Sequence, residues 1–139
     1  VDVRQVPWEL CAPQLLEIRT RVFCEEQSCP PELERDGRDS GAIHVLATRD
    51  GQPIGTGRLL LPEGKVTRMA VLPAYRGRGI GTRILKLLLE IARHRGLAEV
   101  FLHSQQQAIP FYLFQGFTKE GDPFEEAGMP HHRMVRRIS

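Results

Sequence analysis

The sequence predicts a mixed α/β (α+β) fold, in which a mostly antiparallel sheet of six or seven strands carries about four helices on its faces. Two patterns predict this class. Three strand-like segments joined by tight turns follow one another in mid-chain, which is typical of an antiparallel meander. A strand, an amphipathic helix and another strand come next, which indicates a crossover connection. We expect residues 1–139 to form a single domain, because this is an ordinary domain length.

The N-terminal third predicts one strand, one helix and a loop. The segment VDVRQV alternates in polarity and predicts a strand that ends at Pro7. Apolar residues at helical spacing predict a first helix from Pro13 to about Gln27. The segment SCPPELERDGRDSG is rich in proline, glycine and charge, and predicts a loop with one helical turn at residues 32–35.

The remaining elements follow in a regular order. The segment AIHVLATRDGQPIGTGRLLL predicts a hairpin around Asp50 and Gly51, and KVTRMAVL predicts a third strand. Apolar residues at helical spacing from Gly79 to Arg95, followed by Gly96, predict a long helix and its end. The last predicted elements are the strand AEVFLH, the short helix QQQAIPFYLFQ, and the strands GFTKEG and HHRMVRRI.

Composition narrows the class of function. Hydrophobic residues make up 41% and charged residues 26% of the chain, as in an ordinary soluble domain. There is no apolar run long enough to span a membrane, and the net charge of +2 argues against nucleic acid as the main partner. Cys11, Cys24 and Cys29 lack the spacing of metal ligands, so we expect no metal and reduced thiols in a cytoplasmic protein, with a reactive Cys24 as the alternative.

The segment YRGRGIGTRIL carries the clearest chemical signal. Glycines before a helix let a ligand approach the free N–H groups of its first turn, where the helix dipole favours negative charge. Arg76 and Arg78 add positive charge, so the segment suits a phosphate or pyrophosphate. The alternative is a glycine-rich turn with solvated arginines. The lysine of a nucleotide-binding P-loop is missing, and the mid-chain position does not fit a dinucleotide-binding fingerprint.

Two motifs resemble the GNAT superfamily of N-acetyltransferases. The segment RMAVLPAYRGRGIGTRIL resembles its acyl-CoA-binding motif, and AIPFYLFQGF resembles its second signature. The predicted element order fits the GNAT fold along the whole chain. The segments RVFCEEQSCPPELERD and FEEAGMPHHRM also resemble the YjcF/ElaA-like branch of small bacterial GNAT proteins, in which substrates are mostly unassigned.

The resemblance implies a cleft for acetyl-CoA between two splayed parallel strands. It implies that Met69, Ala70 and Val71 line the pantetheine arm, and that Gln105 stands where many relatives carry a cofactor-binding Asn. It further implies that a run of backbone amides cradles the pyrophosphate. These amides belong to Arg76, Gly77, Arg78, Gly79, Ile80, Gly81 and Thr82.

The resemblance also implies the chemistry. Tyr112 matches the general acid of the family, whose phenol protonates the departing CoA thiolate. For the acceptor side, the branch features point to Glu26, Gln27 and His131. The general base stays open at this stage. Its candidates are Glu25, Glu26, Asp36, His44, His103, His131 and His132.

We therefore expect an enzyme that transfers an acetyl group from acetyl-CoA to a primary amine by direct attack in a ternary complex. The acceptor is a small-molecule or peptide amine, and an acidic cleft would suit polyamines, aminoglycosides or lysine side chains. The alternative is a non-catalytic acyl-CoA-binding sensor or interaction domain. Homodimers are common in the family, but the sequence shows no interface.

Overall fold

The computed structural model describes residues 1–139, and its elements follow the predicted order. The strands are β1 (Asp2–Val6), β2 (Ile43–Arg49), β3 (Gln52–Leu60), β4 (Lys65–Val71), β5 (Glu99–Gln105), β6 (Thr118–Glu126) and β7 (Met129–Arg137). The α-helices are α1 (Trp8–Arg19), α2 (Pro31–Glu34), α3 (Ile80–His94) and α4 (Ile109–Phe114), and a π-helical segment spans Thr20–Glu26. None of the helices combines the length and apolar character that a membrane crossing needs.

All seven strands form one sheet in the order β1-β2-β3-β4-β5-β7-β6. Neighbouring strands are antiparallel except for β4 and β5, which run parallel because α3 connects them. This confirms the predicted fold class, a mostly antiparallel mixed sheet with four α-helices.

The helices cover both faces of the sheet and bury a separate core on each. On one face, α3 and α4 pack on the middle strands, with Leu85, Leu88 and Met134 fully buried. On the other face, α1 places Leu15 and Ile18 against Leu46. Strands in the centre are therefore covered on both sides, which fits the unbroken run of buried residues from Ile43 to Thr48 in β2.

The first helix differs from the prediction. It begins at Trp8 rather than at Pro13, and Pro13 lies inside it. A proline is favoured in the first turn, which is why the sequence pattern places the start there. In the structure Pro7 is extended and precedes the first turn, and burial of Leu15 and Ile18 outweighs the hydrogen bond that Pro13 cannot donate. The helix also widens into the π-helical segment before it ends.

A β-bulge interrupts β4 where it faces Gly57 of β3. Thr56 pairs with Ala70 and Arg58 pairs with Thr67, so two β4 residues, Arg68 and Met69, oppose a single β3 residue. Arg68 has a positive φ of 54°, an uncommon conformation for a residue with a side chain. The bulge leaves room only for a glycine opposite. A Cβ at Gly57 would lie 2.7 Å from Ile84 Cγ2 and 2.8 Å from Met69 Sδ.

We expect Gly57→Ala to destabilise the fold by about 1–3 kcal/mol, because the added methyl overpacks the contact between β3, the bulge and α3. Urea unfolding followed by circular dichroism measures the change. Gly41→Ala is the matched control, since Gly41 has no positive φ and a Cβ there would meet nothing within 4 Å. Equal stability of the two variants would contradict the packing described for the bulge.

Candidate active site

The two parallel strands separate soon after they meet. Their only paired position is Lys65 with Phe101, and Phe101 N donates to Gly64 O at 3.0 Å. Beyond Lys65, the edge of β4 that faces β5 has no strand partner. The unpaired stretch of β4 includes the bulge and continues to Val71. A ligand with amide groups could therefore pair with this backbone as an additional strand does.

The space between the separated strands is a cleft of about 460 Å³, a volume typical of small-molecule sites. Both faces of the sheet contribute to its walls. Phe23 and Gln27 line it from the side of α1, and Ala108 and Tyr112 line it from the side of α4. The cleft thus lies within the sheet, between the two layers of helices.

Tyr112 is one of the residues that line this cleft. Its ring is buried and makes edge-to-face contacts with Phe111 and Phe117, at centroid distances of 5.0 and 5.7 Å. The hydroxyl has no hydrogen-bond partner in the protein, and burial raises the pKa of Tyr112 above its ordinary value. The phenol therefore keeps its proton across the physiological range and could donate it to a group in the cleft.

The glycine-rich segment leads from the end of β4 into α3. Gly77 and Gly79 have φ values of 76° and 79°, which favour glycine, and Gly79 is the N-cap of α3. The first bond of the helix joins Arg83 N to Gly79 O, and no side chain caps this end. The N–H groups of residues 80–82 are therefore unpaired within the helix and available to an anion.

Two side-chain contacts join the end of the π-helical segment to β4 and β5, the two strands that border the cleft. Arg76 forms a bidentate ion pair with Glu26 at 2.6 and 2.7 Å, and its Nε donates to Val71 O at 2.8 Å. Gln105, at the end of β5, donates to the Gln27 side chain at 2.9 Å. The π-helical segment therefore spans the ends of β4 and β5.

A cluster of two histidines and one glutamate lies on the β5 and β7 side of the cleft. The Nδ1 of buried His131 lies 2.9 Å from Met129 O, which can only accept, so Nδ1 carries the proton. The neutral ring then holds a lone pair on Nε2, which lies 3.8 Å from Glu126 Oε2. The other oxygen of Glu126 lies 2.9 Å from His103 Nδ1. This arrangement could accept a proton at Nε2 and stabilise the charge that results.

Arginines and carboxylates form a buried ion-pair network beside the cleft. Arg19 holds Glu34 and Asp39, and Arg58 holds Asp36 and Asp39. Burial acts to raise the pKa of Asp36 and of Asp39. Hydrogen bonds from Arg58 to Asp36 and from Arg19 to Asp39 outweigh that effect, so both pKa values lie below their usual range. The network fixes the loop after α2 as one wall of the cleft.

We expect this network to make the fold acid-sensitive. Because the folded pKa values of Asp36 and Asp39 are depressed, their contribution to stability is complete above the unfolded pKa of about 4 and is lost as the pH falls below it. The free energy of unfolding should drop by about 1–3 kcal/mol in that range. Urea unfolding as a function of pH measures it. Asp36→Asn should flatten the dependence, whereas Asp122→Asn, at an exposed position without an ion pair, should not.

Comparison with known proteins identifies the family of this chain. A family model described as an acetyltransferase (GNAT) domain matches residues 11–138. The chain is 34% identical over 122 residues to the N-acetyltransferase YjcF of Bacillus subtilis. The aligned region covers 86% of this chain and 87% of that protein. The chain belongs to the GNAT acetyltransferase family.

Two solved structures agree with this GNAT assignment. An acyl-CoA N-acyltransferase from Pseudomonas aeruginosa has a TM-score of 0.86 at 31% identity, with 98% of this chain and 99% of that chain covered. Escherichia coli ElaA has a TM-score of 0.87 at 26% identity, with the same coverage. The resemblance to the GNAT superfamily and to its YjcF/ElaA-like branch is thereby confirmed. The chain is a GNAT acyltransferase, a class that uses CoA thioesters.

The structure brings together only part of the predicted GNAT site. Met69, Gln105 and Tyr112 line the cleft, whereas Ala70 is buried in the core on the α1 face. Residues 76–82 lie beyond the cleft, in the exposed turn and the start of α3. Among the predicted acceptor residues, Gln27 and His131 line the cleft and Glu26 does not, because it pairs with Arg76.

The candidate bases do not all lie at the cleft. Asp36, His103 and His131 line the cleft, but Asp36 is held by Arg58. The other candidates and Cys24 lie outside it. His44 is buried under the Trp8 ring at 5.0 Å, where it contacts Asp39 O.

Sequence reasoning did not single out Glu126, Arg68 or Lys65, which all line the cleft. Glu126 lies next to the turn of the β6–β7 hairpin, and Arg68 lies on the bulge of β4. Charged residues in strands usually face solvent, so their types alone give no signal. For Glu126, its place in the FEEAGMPHHRM segment was the available indication.

Proposed function

We propose that this GNAT protein transfers an acetyl group from acetyl-CoA to a primary amine of a small molecule or peptide, by direct attack in a ternary complex. The observation that carries the proposal is the cleft between β4 and β5, which is lined from both faces of the sheet. Two substrates can occupy such a cleft at the same time, so no covalent enzyme intermediate is required.

The acetyl-CoA would lie along β4. Its pantetheine amides would pair with β4 at Met69, Ala70 and Val71, where the edge that faces β5 has no strand partner, and Arg76 would have to release Val71 O. Its pyrophosphate would accept hydrogen bonds from the amides of residues 76–82. Arg78, which stacks over the Tyr75 ring at 5.7 Å, has no carboxylate partner and adds positive charge there. Gln105 would contact the cofactor arm only after its bond to Gln27 is exchanged.

The chemical step then needs one acid and one base. The amine nitrogen attacks the thioester carbonyl carbon, a C–N bond forms, and the C–S bond breaks as the tetrahedral intermediate collapses. Tyr112 donates its hydroxyl proton to the departing sulfur. The amine loses its proton to Nε2 of His131, directly or through one water, and Glu126 stabilises the imidazolium. His131 is our choice of base because its tautomer is set by Met129 O.

A thiol-release assay tests the proposed function. The protein is mixed with acetyl-CoA and a panel of primary amines, free CoA is detected with a thiol reagent, and mass spectrometry identifies the acetylated product. We expect amine-dependent release with a defined acceptor class. If calorimetry showed that acetyl-CoA binds while no amine caused release, the non-catalytic sensor function would be supported instead.

A further inference from the structure

Arg68 occupies an unusual position in the cleft wall. It lies on the β4 bulge with a positive φ, and its side chain lines the cleft beside α2. Its Nη2 donates to Glu34 O at 2.8 Å and lies 3.5 Å from Leu33 O. Its Nε is buried without any acceptor, and Nη1 makes no hydrogen bond to the protein. Part of the guanidinium of this partly buried side chain is therefore unsatisfied, and the buried Nε–H carries a cost.

The charge of Arg68 also lacks a carboxylate of its own. The nearest carboxylate oxygen is Asp36 Oδ2 at 3.5 Å, and the same oxygen accepts from Arg58 at 2.7 Å. Arg58 and Arg76, in contrast, each form a bidentate pair with one carboxylate. Burial, together with the positive charge of Arg58, lowers the pKa of Arg68. Arg68 thus has only this one long, shared contact with a carboxylate, although the three arginines and three acids of the network balance in charge.

The charges that line the cleft are divided between its two sides. Lys65, on β4 like Arg68, lines the cleft and forms no ion pair. The ion-pair network on this side is balanced, since Glu34, Asp36 and Asp39 match three arginines, and Lys65 is the cation left without a carboxylate. The carboxylate on the opposite side is Glu126, next to the candidate base.

We propose that the acceptor is an amine that also carries an anionic oxygen group, a carboxylate or a phosphate, and that Arg68 binds this anion with the help of Lys65. The inference rests on the proposed function and names its substrate class. The amine end would face His131 and Glu126, and the anionic end would face β4. An oxyanion in the cleft would supply an acceptor for Arg68 Nη1, in a charge-assisted hydrogen bond. Polyamines and aminoglycosides carry no anionic group that Arg68 and Lys65 could bind, so the proposal does not favour them as acceptors.

Matched acceptor pairs test the inference in the thiol-release assay. One pair is an α-amino acid and its amide, a second is ethanolamine phosphate and ethanolamine, and spermidine represents the polycations. We expect at least one anionic member to exceed its neutral partner by about tenfold or more in kcat/KM, the effect of one charge-assisted bond. The pair that responds distinguishes a carboxylate from a phosphate.

Two Arg68 variants assign the effect to this residue. Arg68→Met should remove the preference within the pair, raise KM for the anionic acceptor by about tenfold or more, and leave the KM for acetyl-CoA unchanged. Arg68→Lys should retain part of the preference because it keeps the charge. If Arg68→Met does not fold, Lys65→Met, at the end of β4 that meets β5, should weaken the preference in the same direction.

The contrary outcomes separate the two proposals. Thiol release with only the neutral or polycationic amines would overturn the anionic acceptor and leave acetyl transfer standing. A preference for anionic acceptors that both variants keep unchanged would overturn the role of Arg68. No release with any member of the panel would contradict the proposed function itself, and this inference with it.

Discussion

Replacement of Tyr112 by Phe is expected to lower kcat by about 10²–10⁴-fold, the usual contribution of a general acid. The hydroxyl has no partner in the protein, so its loss leaves the fold intact, and Phe keeps the edge-to-face contacts with Phe111 and Phe117. The affinity for acetyl-CoA should change little, because the proton is needed only as the C–S bond breaks. Thiol-release kinetics give kcat, and isothermal titration calorimetry gives the Kd of acetyl-CoA.

Tyr75→Phe is the matched control for this change. Tyr75 is the second tyrosine of the chain, lies outside the cleft, and makes no hydrogen bond through its hydroxyl. It should retain normal turnover. Normal turnover of Tyr112→Phe as well would show that Tyr112 is not the acid, and water or another group would have to protonate the thiolate.

Replacement of His131 by Asn should lower kcat by about 10²-fold or more, because the variant has no group at the position of Nε2 that can accept the proton of the amine. Asparagine retains a donor for Met129 O, so the hairpin between β6 and β7 should keep its geometry.

The neighbouring histidine offers a close control. His132 does not line the cleft and contacts Gly121 O at 2.9 Å on the edge strand, so His132→Asn should keep the wild-type rate. A large loss of activity from Glu126→Gln with no loss from His131→Asn would assign the base to the carboxylate instead.

Most of the fold could be predicted from the sequence, because local signals agree with it. The Asp50–Gly51 turn, the apolar stripe of α3 and the alternating segments each specify one element, and the order of the elements then implies one parallel pair. The predicted start of α1 is wrong. A proline inside a helix is rare, so the pattern places Pro13 in the first turn. The π-helical segment spans only seven residues, which are too few for its wider periodicity to show in the sequence pattern.

The candidate site could be predicted less completely, since much of it depends on long-range register. Tyr112 and the glycine-rich segment belong to local motifs, so the sequence could locate them. The pair of Arg76 with Glu26 joins residues 50 positions apart, and the contact of Gln105 with Gln27 joins residues 78 apart. Arg68 reaches the cleft only because a bulge rotates it, and a bulge changes pairing rather than composition.

The measurement that tests the central claim most directly is an NMR titration of the 15N-labelled protein with acetyl-CoA, read residue by residue from the backbone amides. The account predicts saturable shifts at one site per chain, concentrated at residues 69–71, 76–82 and 105 and at Tyr112. A second pocket, formed by Trp8 and His44 near the edge strand β1, should not respond. Shifts at that pocket without shifts along β4 and the start of α3, or no saturable shifts at all, would contradict the placement of acetyl-CoA between β4 and β5.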